Sequence, residues 1–169
     1  MKPLFALSFF VMAFAPLGVV VMSAANGAEP KPVSPIYGVS IPDGYRDWQF
    51  IAPAIEAAPL DELRSVVGND KAIAAYKQGT LPFPDGSVLV KLAWKKKQSP
   101  EFEPATIPGE ATTVQVMVKD SKKYASSGGW GYGRFINGQP VDEAQHETCF
   151  ACHQSRVQNH DDVFTRYAH

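Results

Sequence analysis

Cys149-Phe150-Ala151-Cys152-His153 places both cysteines of the chain three positions apart and sets a histidine directly after the second. Two thiols at that spacing can add to the two vinyl groups of one porphyrin, and the imidazole of His153 can then face the iron as its axial ligand. The expected cofactor is one covalently attached haem c, with His153 as the metal ligand. Other chemistry fits these residues less well. A disulfide between Cys149 and Cys152 would close a very short loop and stabilise little. A thioredoxin-like redox pair requires a strand-to-helix setting near the N-terminal half, which this segment lacks. Structural zinc needs four ligands, and His146, His160 or His169 could supply another. No second half-site is recognisable, so zinc stays the weaker alternative.

The N-terminus agrees with that chemistry. Lys2 precedes an apolar run from Leu4 to Met22, then small residues ending at Ala25 or Ala28, the pattern of a secretory signal peptide over residues 1–28. A retained membrane anchor is the alternative. Pro16, Gly18 and the small-residue end weigh against it. Haem is attached to such motifs outside the cytoplasm, so a periplasmic protein with no stable membrane span after processing is expected. The remaining length, about 140 residues, suffices for one domain with one core. The proline-rich stretch 29–37 reads as a flexible leader, leaving 38–169 as the domain. A formal net charge of -1 points to neither nucleic acid nor an acidic lipid surface.

The elements that must position the motif read as α+β. Strand-like runs are Trp48 to Ile51, Leu63 to Val67, Ser87 to Trp94, Thr112 to Lys119 and Trp130 to Ile136. Turn residues Pro84-Asp85-Gly86, Gly128-Gly129 and Asn137-Gly138 bound three of them. Helical patches are expected at Asp70 to Lys77 with Asp70 as the cap, at Asp120 to Ala125, and from Asp142 through the cysteine motif. The expectation is an antiparallel, roughly five-stranded β-sheet with a few short helices and the haem motif in the C-terminal segment.

Alternation gives each strand two faces. Val88, Val90, Leu92 and Trp94 share one side, leaving Lys91 between Leu89 and Ala93 on the other. Val114, Val116 and Val118 share a side, opposite Gln115, Met117 and Lys119. For the mixed faces, ordinary solvent exposure is the expectation. Met117 is the only methionine left once Met1, Met12 and Met22 leave with the signal. Its thioether could be a second axial ligand, but on a strand core packing is the favoured role. His146, His160 and His169 are weaker candidates for that position, and an iron with one open coordination site is preferred.

Six blocks carry a resemblance to a known family. They are Ile41-Pro42-Asp43-Gly44-Tyr45-Arg46-Asp47-Trp48, Phe83-Pro84-Asp85-Gly86-Ser87-Val88-Leu89-Val90-Lys91, Val118-Lys119-Asp120, Gly129-Trp130-Gly131, the cysteine motif, and Val163-Phe164-Thr165-Arg166-Tyr167. In this order they resemble the cytochrome P-460 family, including the cytochromes c-prime-beta. The resemblance implies an antiparallel sheet with short helices, a homodimer and one c-type haem. It also implies that Lys91 bonds a meso carbon of the haem through its side-chain nitrogen, which would tune the iron by distorting the macrocycle. Arg64 falls where members place an arginine near the distal pocket, with a surface or ion-pair role as the alternative. Gln115 falls where hydroxylamine-oxidising members carry a glutamate, and an amide cannot serve as a base at neutral pH. The implied activity is oxidation of hydroxylamine to nitrous oxide or nitric oxide, with electrons passed to a periplasmic redox partner and Lys91, Arg64 and Gln115 around the catalytic site. The other implied readings are binding of a small nitrogen oxide without turnover, with Phe50 and Phe83 as candidate aromatic lids, and simple electron transfer.

Overall fold

The computed structural model describes residues 30–169, so the expected signal peptide lies outside the described residues. Its architecture is a six-stranded antiparallel meander in which every strand pairs with its sequence neighbours. The strands are β1 (Gln49–Glu56), β2 (Glu62–Gly68), β3 (Val88–Gln98), β4 (Thr106–Lys119), β5 (Trp130–Ile136) and β6 (Gln139–Pro140). Helix α1 (Asp70–Gln78) links β2 to β3, and α2 (Glu143–Val157) follows the sheet. The α+β class is therefore as expected. β6 is the extra strand, two residues long, turned back by Asn137 and Gly138, both at positive φ. A two-residue turn with both central residues left-handed matches the twist of a hairpin, which is why Asn-Gly sits there.

Local chemistry accounts for the helices, with two departures from expectation. Asn69, not Asp70, caps α1: its side chain accepts from the Ala72 N–H at 3.0 Å. Gly79, left-handed at φ 64°, ends that helix. No α-helix forms over Asp120 to Ala125. The Asp120 carboxylate accepts from the Lys122 and Lys123 amides and holds a turn, followed by a single 3-10 turn at Ala125–Ser127. Asp142 caps α2 through the Gln145 N–H at 2.9 Å.

Both faces of the sheet are covered, which corrects the expected solvent exposure of the mixed face. One face holds Val67, Val90, Leu92, Val116 and Phe135, packed by Val39, Tyr37, Ile41, Tyr45 and Trp48 from the N-terminal segment. The other holds Val66, Leu89, Trp130 and Tyr132, packed by Ile73 and Ala75 of α1, by Phe83 and Val163, and by Cys149 and Phe150 of α2. The segment expected as a flexible leader also packs from Val33 onward: Val33 bridges Ser40, and Ser34 is buried, donating to the Tyr132 carbonyl at 2.8 Å. At the other end, the Ala168 N–H donates to the Ile51 carbonyl and ties the C-terminal tail to β1. Among the described residues no helix is long and apolar enough to cross a membrane.

Candidate functional site

The antiparallel register sets Val66, Lys91, Gln115 and Arg134 side by side across β2, β3, β4 and β5. Directly paired residues point to the same face, so this row lies on the face against which Cys149 packs. The neighbouring row is Gly68, Leu89, Met117 and Tyr132, and the next on the other side is Arg64, Ala93 and Thr113. Sequence-distant residues thus converge: Lys91, Gln115 and Arg64 do share a face with the cysteine motif.

Lys91 is the unusual member. Burial pushes its amine down to about 8, helped by the Arg64 and Arg134 charges, so that a useful fraction is neutral near physiological pH. A neutral amine in an apolar setting is a nucleophile, whereas an ordinary surface lysine is not. Gln115 beside it offers only a weak contact, Nε2 donating to Thr113 Oγ1 at 3.3 Å.

Arg64 is held as an ion-pair arginine. Its Nε and Nη2 donate to one Glu62 oxygen at 3.0 and 2.8 Å, and Nη1 donates to Glu56. The second Glu62 oxygen accepts from the Thr112 hydroxyl at 2.7 Å. Burial alone would raise the Glu62 carboxyl, but the Thr112 and Arg64 contacts outweigh it and hold it below the usual carboxylate range. Arg64 therefore reaches the site through its charge on Lys91.

Cys149, Cys152 and His153 lie within α2, with Cys149 half-buried and Cys152 exposed. Burial raises the Cys149 thiol, and the Arg134 and Lys91 charges pull it back. Three residues apart on a helix, the two sulfurs share one side. The imidazole of His153 lies edge-on between Tyr132, at 5.1 Å, and Phe164, at 4.8 Å. Its Nδ1 meets the Asp162 carbonyl at 2.7 Å. A carbonyl only accepts, so Nδ1 carries the proton and Nε2 is left with its lone pair. Burial also depresses the imidazole pKa, which favours this neutral form.

The other expected ligands are engaged elsewhere. His146 is fully buried and uses both nitrogens, Nδ1 at the Asp142 carbonyl and Nε2 accepting the Arg134 N–H. His160 meets the Val163 carbonyl through Nδ1 and packs against Tyr76 and Phe83. His169 is exposed beside Tyr167. Among the described residues no three His, Cys, Asp or Glu side chains gather to hold a metal ion, which leaves the zinc alternative without a ligand set. Met117 packs with the core cluster, as favoured for a strand methionine. Phe83 is a core residue between Tyr76 and Trp130, and Phe50 pairs with Val67 of the opposite face, so neither serves as a lid.

Three groups escaped the reading of the sequence. Tyr132 Oη, Arg134 Nε and Asp162 Oδ1 are buried and find no hydrogen-bond partner among the described residues. Buried polar atoms are normally satisfied, and these three flank the same place. Tyr132 lies on the His153 ring, the Asp162 charge adds to burial in raising the Tyr132 phenol, and Arg134 neighbours Gln115. The strand Trp130-Gly131-Tyr132-Gly133-Arg134 carried a signal, since its glycines empty one side and leave every large residue on the other. A Cβ on Gly131 would collide with the Tyr124 ring. A surface cleft of about 510 Å³ is lined by Phe83, Asp85, Lys119 and Asp161 and includes neither Lys91 nor the cysteine motif.

This donor set fits haem. Two thiols on one helix side and an imidazole with Nε2 free supply its attachment chemistry, and the unpaired Arg134 nitrogen suits one of its carboxylates. No curated protein matches the chain. The model of the family described as Cytochrome P460 matches residues 42–165, from ahead of the sheet through the site to the C-terminal tail. Fold, donor set and family model agree, and this chain, a haem-binding cytochrome, belongs to the cytochrome P460 family.

Proposed function

We propose that the chain is a periplasmic c-type member of this family that oxidises hydroxylamine. The observation that supports this reading most is Lys91, a partly buried amine pushed down to about 8 on the sheet face that the cysteine helix covers. Cys149 and Cys152 would hold the haem through thioether bonds, and His153 would ligate the iron through Nε2. Lys91 would bond the haem edge through Nζ. That bond replaces one N–H and one C–H and is a two-electron oxidation, for which a peroxide is a sufficient oxidant.

When bound, the haem supplies a redox-active iron with one coordination position open to hydroxylamine. Around it the protein's residues have separable tasks. The Asp162 carbonyl fixes the His153 tautomer. Arg64, held by Glu62 and Glu56, keeps a positive charge near Lys91 and disfavours its ammonium form. Gln115 can orient substrate or water by donating from Nε2, but protons must leave to water. Two hydroxylamines give one nitrous oxide and one water, releasing four protons and four electrons. One hydroxylamine gives nitric oxide with three of each. A periplasmic redox protein takes the electrons, and the working unit is a homodimer.

The amide at Gln115 favours a second reading, in which nitric oxide is bound and not turned over. One experiment separates the two. A haem-to-Lys91 peptide in mass spectrometry, a ferrous Soret band shifted strongly to the red and steady consumption of hydroxylamine support the enzyme. An ordinary five-coordinate c-type spectrum with nitric oxide binding and no consumption overturns it.

A further inference from the structure

Eight residues beyond His153 the chain makes a turn that local preference does not account for. Asp161 and Asp162 are both left-handed, with φ of 52° and 58°. A non-glycine residue enters this region at a cost, and two in succession need outside support. The support falls on Asp161. Its N–H donates to the Gln158 carbonyl at 3.2 Å, and its own carbonyl accepts from Trp130 Nε1 at 2.7 Å. One carboxylate oxygen accepts from Lys119 Nζ at 2.6 Å, the other from the Phe83 N–H at 2.8 Å. Every polar atom of Asp161 is bonded, and apart from Gln158 its partners come from β4, β5 and the loop before β3.

Lys119 is itself built in. It is 4 % exposed, donates also to the Gly128 carbonyl at 3.0 Å, and lies over the Trp130 ring at 5.0 Å from its centroid. A buried lysine with one carboxylate partner and an aromatic face is costly to arrange and is not surface decoration. What this arrangement delivers is the next peptide: the Asp162 carbonyl, aimed at His153 Nδ1 at 2.7 Å.

We infer that Asp161 is a positioning residue for the haem ligand: clamped by Lys119, Trp130 and the Phe83 amide, it fixes the turn whose Asp162 carbonyl orients His153 and sets the donor strength of its Nε2. The inference rests on His153 being the iron ligand. A carbonyl held firmly on Nδ1–H makes the imidazole a stronger donor, which favours ferric over ferrous iron. Loosening the turn should weaken the iron–histidine bond and raise the reduction potential.

The test uses the haem-loaded protein. Asp161→Asn keeps the size and tolerance of the left-handed region but removes the charge facing Lys119. In ferrous resonance Raman spectra the iron–histidine stretch is expected to move to lower frequency and broaden. In redox titration the ferrous form should gain about tenfold at fixed poise, about 59 mV for one electron. An unchanged stretch and potential in Asp161→Asn overturn the positioning role. Should that variant fail to fold, Trp130→Phe removes the bond to the Asp161 carbonyl while keeping an aromatic ring beneath Lys119, and should shift both readouts in the same direction by less; no shift overturns the inference equally. Lys96→Ala breaks an exposed lysine–aspartate pair at 2.7 Å, and a shift there as large as in Asp161→Asn would overturn it as a general charge effect. His153→Ala tests the underlying assignment. If the stretch survives that change, the ligand reading itself fails. If it is lost while Asp161→Asn is silent, only the positioning role fails.

Discussion

The two faces of one sheet, built from alternate residues of the same strands, have opposite chemistry. The face under the N-terminal segment is apolar throughout its centre, with Val90 at 0 %, Val116 at 1 % and Phe135 at 1 % exposure. The face under α2 carries Lys91, Gln115, Arg134 and Arg64 among its apolar residues, and the three unpaired buried polar atoms surround it. Apolar burial stabilises without specifying a ligand, whereas buried charge costs stability and persists where it meets a partner or does chemistry. One face is therefore given to packing alone, while the other combines a core cluster with the candidate site.

The largest expected effect tests that division directly. Phe135→Ala should destabilise by about 3 to 5 kcal/mol, the usual cost of emptying a buried aromatic site. The haem spectrum of the molecules that remain folded should not change. Lys91→Met should do the opposite. It removes a poorly solvated amine, so chemical denaturation should give equal or greater stability at neutral pH, while the haem-to-peptide cross-link and the red-shifted Soret band disappear. A Phe135→Ala protein with an altered spectrum, or a Lys91→Met protein that loses stability without spectral change, would break the comparison.

Gln115→Glu sharpens it next. A carboxylate in the Lys91 row could accept protons from hydroxylamine, and positioned bases contribute about 100-fold or more. Hydroxylamine consumption should rise by about that factor. Unchanged consumption would take position 115 out of the mechanism. Smaller again is Thr112→Val, which strips one hydrogen bond from buried Glu62 beside Arg64. The expected loss is about 1.5 kcal/mol. Glu62 is held below its unfolded pKa, so its contribution is present above the ordinary carboxylate range and is lost as pH falls through the folded value. The deficit of Thr112→Val should therefore be seen in urea denaturation at neutral pH and shrink in acid.

Much of this division was legible in the chain, and the unread parts share a cause. Alternation placed Lys91 opposite Val90 and Gln115 opposite Val116, and turn residues marked three strand ends. The haem motif stood out because its residues are contiguous. The expected exposure of the Lys91 face was wrong because its cover arrives from α2 and the C-terminal tail, far along the chain. Arg134 was missed because its meaning comes from pairing with Gln115 across β4 and β5. Lys119 and Asp161 are 42 residues apart, and nothing local to either announces the other. β6, at two residues, is too short for any alternation to register.

The pH dependence of stability decides whether Lys91 is free or bonded. In the folded protein a free amine has a pKa of about 8, against 10.5 when unfolded. Below about 8 both states hold the proton, and the cost of burying the ammonium is fully present. Between about 8 and 10.5 the folded state has released a proton that the unfolded state keeps, so stability from this group rises with pH and levels off above that window. The slope cannot exceed about 1.4 kcal/mol per pH unit, the value for one proton, and partial solvent access makes it smaller. Urea denaturation across this range should give a rising component in protein whose Lys91 is unbonded, absent in Lys91→Met. A cross-linked lysine is no longer a free amine on either side of the unfolding transition, so the cross-linked protein should track Lys91→Met. A rise that survives in protein whose mass spectrum shows complete cross-linking would mean that another group on this face titrates, and the contrast between the faces would no longer centre on Lys91.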